Sequence, residues 1–440
     1  MVLSLSSVRN FGGKVMKKII SILLCIVVVF ALTCCDKSNL KINKAVQLNA
    51  KNGLLSNVSE ISVIDEISAY KTFSGEFFQK SYDLTKEDVG KNLLVSPLSL
   101  YLCLSLLASG SDGQSRIELE NAFGTDIEGV KNLSNVLYNR YSQKAYKNSK
   151  VNIANSVWLN KTYADFVQNG FLSDATKYFN AQIYSSDFVN DSVQDDVNTW
   201  VNHYTEGMID KILDNVSSDT VAYLINALYL QSSWAEKYNY TIPRTFKNKN
   251  STEKTVEFLS RSSSVYYSSE KAEAFIQPLS DGFCFMGILP KDENSASEYF
   301  SNMNWEEIET LFKSACYDYK VITGIPEFKY DYSIDLIDVF ESFSLNSISN
   351  PYTANFTKLA QIPNGNFYVD NAVQKTAIEV DKNGIKAAAV TKITGSNATS
   401  FNPNIPIEIW LDRPFAYLIF DRASVELGDV PIFYGVVENL

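Results

Sequence analysis

The sequence predicts an α+β domain, because helical patterns dominate the first half of the chain and strand patterns the second. Amphipathic or apolar helical segments lie between about residues 69 and 213, and runs rich in β-branched and aromatic residues follow from about residue 221. Helices that precede most of the strands are typical of this class rather than of a doubly wound sheet. With 440 residues, 45% of them hydrophobic, the chain can bury a large core.

The helical segments come first. AYKTFSGEFFQKSYDL places Phe73, Phe77 and Phe78 on one face at helical spacing. Ser96 and Pro97 are the expected N-cap and first-turn residues of an apolar helix that Gly110 ends. A third, amphipathic helix is predicted within VQDDVNTWVNHYTEGMIDKIL.

The strand segments follow in the order VAYLINALYLQSSW, FCFMGILP, KVITGIPEFKYDYSI, NAVQKTAIEVD, IPIEIWLDRPFAYLIFD and VPIFYGVVENL. The first is apolar almost throughout, which suggests a strand covered on both faces.

The composition excludes several classes of function. There are 39 Lys+Arg against 50 Asp+Glu, a net charge of −11, and such an acidic chain disfavours nucleic acid as a partner. The single histidine, His203, lies within the third helical segment and is interpreted as structural. One histidine leaves few options for a His-based metal site or a Ser-His-Asp or Cys-His enzyme. We therefore expect no metal, no cofactor and no enzymatic centre, and an extracytoplasmic enzyme is disfavoured.

The N-terminal segment is interpreted as an export signal. Met16-Lys17-Lys18 precedes an apolar run, Ile19 to Leu32, that is too short for a comfortable membrane span. The run continues through Thr33-Cys34-Cys35, which resembles a bacterial lipobox in which Cys35 is acylated. We expect removal of residues 1–34, with Met16 as a second candidate start. The protein would then be an exported bacterial lipoprotein, anchored to a bilayer on the cell surface or the extracellular or periplasmic side. An ordinary signal peptide is the alternative.

Residues 35–67 are predicted to form a lipidated tether, because the stretch from 36 to 66 is rich in Asn, Ser and Lys and has weak periodicity. A single domain is expected from residue 68 to residue 440, since no second linker or internal repeat interrupts it. Cys103, Cys284 and Cys316 lie in apolar surroundings and are interpreted as reduced thiols that act as small hydrophobic side chains.

The segment after NAVQKTAIEVD has an unusual alternation. Read with period two, one face holds Ile385, Ala387, Ala389, Thr391, Ile393 and Gly395, and the other holds Lys386, Ala388, Val390, Lys392 and Thr394. Both lysines fall on one side, as a half-buried strand requires. The alternative is a helical turn from Lys386 to Val390, because alanine favours helix.

Motifs spread in order over residues 68–440 resemble the serpin family. Each motif alone is weak, but the set is specific. Its members are Ser96, Pro97 and Ser99; Asn198, Trp200, Val201, Thr205 and Gly207; Asn226, Ala227, Tyr229 and Trp234; Pro326, Phe328 and Lys329; and Pro414, Phe415, Gly435, Val436, Val437 and Asn439.

The resemblance implies a fold and a function. Helices would pack around a large central mixed sheet and smaller sheets, with an exposed reactive loop at about residues 384–411. The protein would be a monomeric suicide-substrate inhibitor of serine proteases, with cysteine proteases as further targets, whose cleaved loop inserts into the central sheet. The implied hinge and inserting strand are Gly384, Ile385, Ala387, Ala388, Ala389, Val390, Thr391 and Ile393, and the implied shutter and breach are Ser96, Ser99, Asn226, Trp234 and Gln374.

Three positions depart from the family pattern. Lys382 stands where inhibitors usually carry an acid, Ile385 where they carry threonine, and Gln374 at the shutter histidine position. The bulk of Ile385 predicts slower insertion. None of the three introduces an inward charge or a proline. A non-inhibitory serpin-fold binding protein, cleaved as an ordinary substrate, is the alternative function.

The scissile bond depends on how the loop is counted. Counting from Gly384 gives Ala398-Thr399, whereas counting back from Pro414-Phe415 points near Pro403, with Phe401-Asn402 as the alternative bond. Ala398 would suit an elastase-like or subtilisin-like protease, and Phe401 a chymotrypsin-like one. A papain-like protease is a further candidate. No Arg or Lys lies between Lys392 and Arg413, which disfavours a trypsin-like target.

Overall fold

The structure is a computed structural model that describes residues 40, 42–49, 62–88, 91–142, 146–189, 192–216, 220–263, 265–363, 365–369, 372–386, 406–422 and 427–440. The described residues from Ile42 to Leu440 form one compact unit. The predicted export signal, Cys35 and residues 387–405 of the predicted reactive loop lie outside the described residues.

The helices of the described part are α1 (Ile64–Thr85), α2 (Pro97–Ser109), α3 (Gly113–Phe123), α4 (Ile127–Ser142), α5 (Asn169–Lys177), α6 (Ser192–Tyr204), α7 (Ala296–Asn302), α8 (Trp305–Lys313) and α9 (Leu336–Ser342). Helix α2 confirms the predicted cap: the Ser96 side chain accepts a hydrogen bond from the Ser99 N–H at 3.2 Å, Pro97 is the first residue, and Gly110 follows the last. None of these helices is long and apolar enough to cross a bilayer.

The strands are β1 (Val46–Gln47), β2 (Leu93–Val95), β3 (Ser149–Asn160), β4 (Gln182–Ser186), β5 (Ala222–Ser233), β6 (Ile242–Lys247), β7 (Glu253–Ser263), β8 (Tyr267–Ser268), β9 (Ala272–Pro278), β10 (Phe283–Pro290), β11 (Val321–Pro326), β12 (Phe328–Asp335), β13 (Val373–Asp381), β14 (Gly384–Ile385), β15 (Ile407–Trp410), β16 (Phe415–Asp421) and β17 (Val430–Val437).

The strands form three sheets, and the predicted α+β architecture is confirmed. The central sheet has seven strands in the order β1-β4-β3-β5-β14-β13-β12, and it is mixed because β3 and β4 run parallel while β3 and β5 run antiparallel. A six-stranded sheet has the order β2-β17-β16-β10-β9-β8, and a four-stranded sheet the order β15-β11-β7-β6. Strands β3 and β4 were not singled out by the sequence patterns.

Helix α2 packs between the central and six-stranded sheets, where its apolar composition places it. Every residue of α2 except Cys103 is buried. Strands β10, β16 and β17 are buried along their whole length, which agrees with their nearly continuous apolar sequences. Helix α6 contacts β3 and β5 on the face of the central sheet opposite α2. The two faces of the central sheet are therefore covered by different helices.

Residues 42–49, which the sequence patterns assign to the tether, belong to the folded unit. Strand β1 adds to the edge strand β4, with Val46 opposite Ser185. The buried carboxylate of Asp196 on α6 accepts hydrogen bonds from the backbone N–H groups of Asn43, Lys44 and Ala45 at 2.8, 3.1 and 3.0 Å. A segment this short and polar shows no periodicity because its stability comes from distant partners rather than from its own pattern.

Candidate functional site

The central sheet is open between β5 and β13. Within the described residues the only strand between them is the two-residue β14. It pairs with both neighbours at one end of the opening, which we call the upper end: Ile385 lies opposite Val380 of β13 and Ser232 of β5. Below β14 no ladder joins the two long strands in the part of the chain that is described. Two facing strand edges without a ladder are a template for one additional extended segment.

The turn that leads into β14 requires glycine at residue 384. Gly384 has a φ of +142°, and a Cβ there would collide with the carbonyl oxygen of Ser232. The Asp381 carboxylate holds the turn by accepting hydrogen bonds from the N–H groups of Asn383 at 2.7 Å and Gly384 at 3.2 Å. Ile385 is only 4% exposed and belongs to the hydrophobic core. Gly384 and Ile385 are therefore fixed between β5 and β13 at the upper end of the opening.

The upper end of the opening is closed by a buried tryptophan. Trp234, at the end of β5, donates from its indole N–H to the Asp381 carbonyl oxygen at 2.7 Å, and it is 3% exposed. The N–H of Lys382 is bonded to a carboxylate oxygen of Glu327, between β11 and β12, at 3.0 Å. The acid next to this backbone thus comes from a distant part of the chain, although residue 382 itself is basic.

The lower end of the opening is crossed by a network of polar side chains. The Gln374 amide of β13 accepts from the Ser96 N–H at 2.9 Å and donates to the Ser96 carbonyl at 3.0 Å. Ser99 donates to the Oδ1 atom of Asn226 on β5. The Nδ2 group of Asn226 donates in turn to Oδ1 of Asn155 on β3 at 2.5 Å. The start of α2 therefore links the two strand edges that no backbone ladder joins.

Two small cavities lie along the opening. One, of about 20 Å³, is bordered by Leu228, Leu230, Ile378 and Ile385 at the upper end. The other, of about 40 Å³, lies lower and on the core side, beside Leu224 and residues of α2 and α9. Both are lined mainly by aliphatic side chains, so the core-facing side of the opening is suited to small or apolar groups.

The outer face of the sheet, beneath the end of α6, carries charge. Lys386 places its ammonium 5.6 Å from the centre of the Tyr229 ring. Lys150 of β3 forms an ion pair with Glu206 at 2.7 Å. Burial opposes ionisation of Glu206, but the hydrogen bond and charge of Lys150 outweigh it and hold the pKa of that carboxyl below its usual range. Charged side chains are therefore accommodated on this face and not on the core-facing one.

The described part of the chain contains three cysteines and one histidine. Cys103 lines the lower cavity, and burial raises the pKa of its thiol to about 12, which keeps it protonated at neutral pH. Cys103, Cys284 and Cys316 are free thiols. His203 packs edge-on against Tyr204 near the end of α6. Among the described residues there is no cluster of ligands that could hold a metal ion.

The structure brings together several of the residues singled out in the sequence. Trp234, Gly384 and Ile385 meet at the upper end of the opening, and Ser96, Ser99, Asn226 and Gln374 at the lower end. The remaining candidates lie outside the described residues: Cys35, Ala387, Ala388, Ala389, Val390, Thr391, Ile393, Ala398, Thr399, Phe401 and Asn402.

Sequence reasoning missed two residues of the site. Asp381 begins the run Asp-Lys-Asn-Gly, whose turn-forming composition was a usable signal for the hinge. Asn155 interrupts an apolar run in β3, and a polar residue at such a position indicates a buried hydrogen-bond partner, although not which one.

Comparisons with known proteins agree with this arrangement. A family model described as Serpin (serine protease inhibitor) matches residues 68–440. A relative named Serine protease inhibitor, from Cyanea capillata, is 26% identical over 363 residues, which are 79% of this chain and 92% of the relative. Neuroserpin from Homo sapiens is 28% identical over 368 residues, 77% of this chain and 84% of that protein. The native state of a thermophilic serpin, tengpin, is similar with a TM-score of 0.76 and 31% identity, over 90% of this chain and 100% of that one.

Proposed function

The chain belongs to the serpin family, and we propose that it inhibits serine proteases as a suicide substrate. A target protease would attack the loop between β14 and β15, and the loop would then insert between β5 and β13 before the reaction is complete. The single observation that carries this proposal is the opening in the central sheet, with the hinge strand β14 already paired on both sides at its upper end.

The covalent step is that of an ordinary serine protease up to the acyl-enzyme. The target's serine oxygen bonds to the carbonyl carbon of the scissile peptide, the C–N bond breaks, and the new amino group leaves with a proton from the enzyme's histidine. The loop residues before the bond now carry the enzyme as an ester. Attack by water would release the enzyme, so inhibition requires that insertion be faster than deacylation.

The register of β14 defines where each inserting residue would lie. Because Ile385 is opposite Val380 and Ser232 in antiparallel ladders, each further loop residue faces one residue earlier on both neighbouring strands. Continuing this register sets residue 391 between Gln374 and Asn226, and residue 393 between Ala372 and Leu224. Residues 387, 389, 391 and 393 would share the core-facing side with Ile385.

The loop sequence fits those positions in size and polarity. Thr391 would bring a hydroxyl to the polar groups of Gln374 and Asn226, which form the lower network. Ile393 would enter the aliphatic surroundings of the 40 Å³ cavity beside Leu224, where burial of its side chain stabilises by about 1.5–3 kcal/mol. Ala387 and Ala389 would lie beside the upper cavity, which has the smaller volume.

The outward side of the same segment fits the charged face of the sheet. Lys386 already donates its backbone N–H to the Glu379 carbonyl at 3.1 Å while its ammonium remains beside Tyr229. Lys392 would lie on this side as well. Each inserted N–H or C=O that gains a ladder partner contributes a net of about 0.5–1.5 kcal/mol. Insertion would therefore satisfy both strand edges and keep both lysines off the core-facing side.

The target and the location follow from residues outside the described ranges. We propose cleavage at Ala398-Thr399 or Phe401-Asn402 by an elastase-like, subtilisin-like or chymotrypsin-like protease. We also propose export through residues 1–34 and anchoring to a bacterial membrane by acylation of Cys35. The N-terminal signal pattern and the loop sequence support these assignments.

The experiment that tests the proposal mixes the purified protein with elastase, subtilisin, chymotrypsin and papain. We expect a complex that survives SDS with at least one serine protease, and mass spectrometry of the released C-terminal fragment would identify the bond. Cleavage of the loop should also raise the melting temperature well above that of the intact protein. Cleavage without complex formation and without a gain in stability would support the non-inhibitory binding protein instead.

A further inference from the structure

A second feature of the described structure is a cleft of about 470 Å³. It is bordered by the end of α2, by α3, by the starts of α4 and α5, and by the loop of residues 357–361. None of its lining residues borders either of the two cavities between β5 and β13. Its volume falls within the range of about 300–1,000 Å³ that is usual for small-molecule sites. The proposed inhibitory mechanism makes no use of it.

The cleft combines an apolar floor with charged walls. Ala108, Ile127 and Phe171, at 1, 5 and 2% exposure, contribute the buried apolar part. Arg116, Lys131 and Lys358 are its cations, and Glu128 and Asp174 its acids. A molecule that filled the cleft would therefore meet both aliphatic or aromatic surface and ionised groups.

Lys131 pairs with both acids of the cleft. The ammonium of Lys131 lies 3.2 Å from Glu128 and 2.8 Å from Asp174, and this lysine side chain is only 13% exposed. Burial opposes its charge, but the two carboxylates raise its pKa above the ordinary value. The three groups carry a net charge of −1, and Arg116 and Lys358 bring the net charge of the cleft's lining to +1.

Unused donors remain on the other wall. Arg116 pairs with Glu120 through Nε at 2.8 Å, and its two terminal nitrogens have no hydrogen-bond partner among the residues described. Lys358 has a single ion-pair contact, with Asp112 at 3.3 Å. A guanidinium with free terminal N–H groups is suited to bidentate binding of a planar carboxylate.

We propose that this cleft binds a small organic monocarboxylate with a compact apolar body. The carboxylate would accept hydrogen bonds from Arg116 and Lys358, and the apolar body would cover Phe171 and its neighbours. Inorganic phosphate fits less well, because it has no apolar surface for the floor and its second charge would be repelled by Glu128 and Asp174.

The test measures binding of 3-phenylpropionate to the full chain by calorimetry, with 3-phenylpropionamide as the neutral comparison. We expect saturable one-to-one binding of the acid, and binding of the amide weaker by about tenfold or more. Arg116→Gln should weaken binding of the acid by a similar factor. Gly170→Phe should abolish it, because a Cβ at Gly170 meets nothing within 4 Å, so a large side chain can occupy the cleft without a clash.

Controls keep the result interpretable. Lys313→Gln removes an exposed cation outside the cleft and should leave the affinity unchanged. Far-ultraviolet circular dichroism and the melting temperature establish that each variant is folded. Arg116→Lys provides a second, milder variant, because it retains the positive charge but loses the two-pronged guanidinium. The inference is overturned if the amide binds as tightly as the acid. It is also overturned if the acid does not saturate by about 10 mM, or if the folded Gly170→Phe and Arg116 variants bind like the unaltered protein.

Discussion

Replacing Thr391 by lysine tests how the loop would enter the central sheet. If the loop inserted in the register of β14, residue 391 would face the core between Gln374 and Asn226, where the lower polar network lies. An ammonium there would have no carboxylate partner in that network. Thr394→Lys is the matched control, because it makes the same exchange three residues later on the outward face.

The expected effect is large because most of the receiving site is buried. Gln374, Ser96 and Ser99 are 6, 1 and 8% exposed. An uncompensated charge in such surroundings costs about 3–5 kcal/mol. If the barrier to insertion carries this cost in full, insertion past residue 391 slows by about two to nearly four orders of magnitude, at 1.36 kcal/mol per tenfold. Deacylation would then win, and the variant would be cut as an ordinary substrate.

The assay compares both variants with the unaltered protein against whichever protease forms the SDS-resistant complex. We expect Thr391→Lys to be cleaved with almost no complex and to gain little thermal stability on cleavage, whereas Thr394→Lys should trap enzyme normally. Equal trapping by Thr391→Lys and the unaltered protein would refute the register. Equal loss in both variants would show that the loop's charge, rather than the face it occupies, determines the outcome.

Three further predictions concern described residues. Gln374→Ala should lower the free energy of unfolding in urea by about 1–3 kcal/mol, because the buried Ser96 N–H loses its partner and the Ser96 C=O keeps only the Leu100 N–H; Lys375→Ala, on the outer face, should change it by less than about 0.5 kcal/mol. Asp196→Ala should release residues 42–49 and speed trypsin cleavage after Lys44, while Asp195→Ala, an exposed neighbour, should not; equal digestion of the two would contradict the assigned role. Burial raises the pKa of Cys284 to about 12, and the charge of Arg422 partly opposes this shift. Because the pKa of this thiol is about 8.5 in the unfolded chain, its contribution to stability is complete below about pH 8.5 and is lost as the pH rises toward 12. Raising the pH from 8 to 10 should therefore lower the free energy of unfolding in urea more for the unaltered protein than for Cys284→Ala. The thiol of native Cys284 should also resist alkylation by iodoacetamide.

Ile385, which stands where the family pattern has threonine, is accommodated in the hydrophobic core. A β-branched Ile385 predicts slow entry into the sheet, yet its side chain is already seated in the core. The energetic benefit of burying it therefore belongs to the intact protein and does not drive further insertion. Any effect of Ile385 on the rate would have to act through the stability of β14, which Gly384 and Asp381 also hold.

Residues 42–49 are fixed to the folded unit, although the sequence predicts that they belong to a tether. Its three N–H groups bound to Asp196 and its strand β1 fasten residues 42–49 to α6 and β4. Asn49 adds a second attachment, since its side chain accepts from the Ile183 N–H at 3.0 Å and donates to the Ala181 carbonyl at 2.7 Å. A composition typical of linkers thus does not exclude a fixed position when two polar side chains find buried partners.

Local patterns alone determined much of the fold. The cap at Ser96-Pro97, the aromatic face of α1 and the buried strands β10, β16 and β17 follow from periodicity and capping chemistry, which act between residues a few positions apart. The family resemblance singled out Trp234 and Gln374, and these residues lie at opposite ends of the opening. These features are readable because each depends on near neighbours in the chain or on a recurring family pattern.

The tertiary structure alone decided where the central sheet is open and in which register β14 pairs with β5 and β13. That β5 and β13 lack a mutual ladder, that Asp381 holds the hinge, and that Gln374 and Asn226 meet through α2 depend on residues up to 278 positions apart. A strand's own sequence states which side chains alternate, but not which neighbour its backbone pairs with or leaves unpaired. Pairing is settled by the collective packing of three sheets around α2, and no segment carries that information by itself.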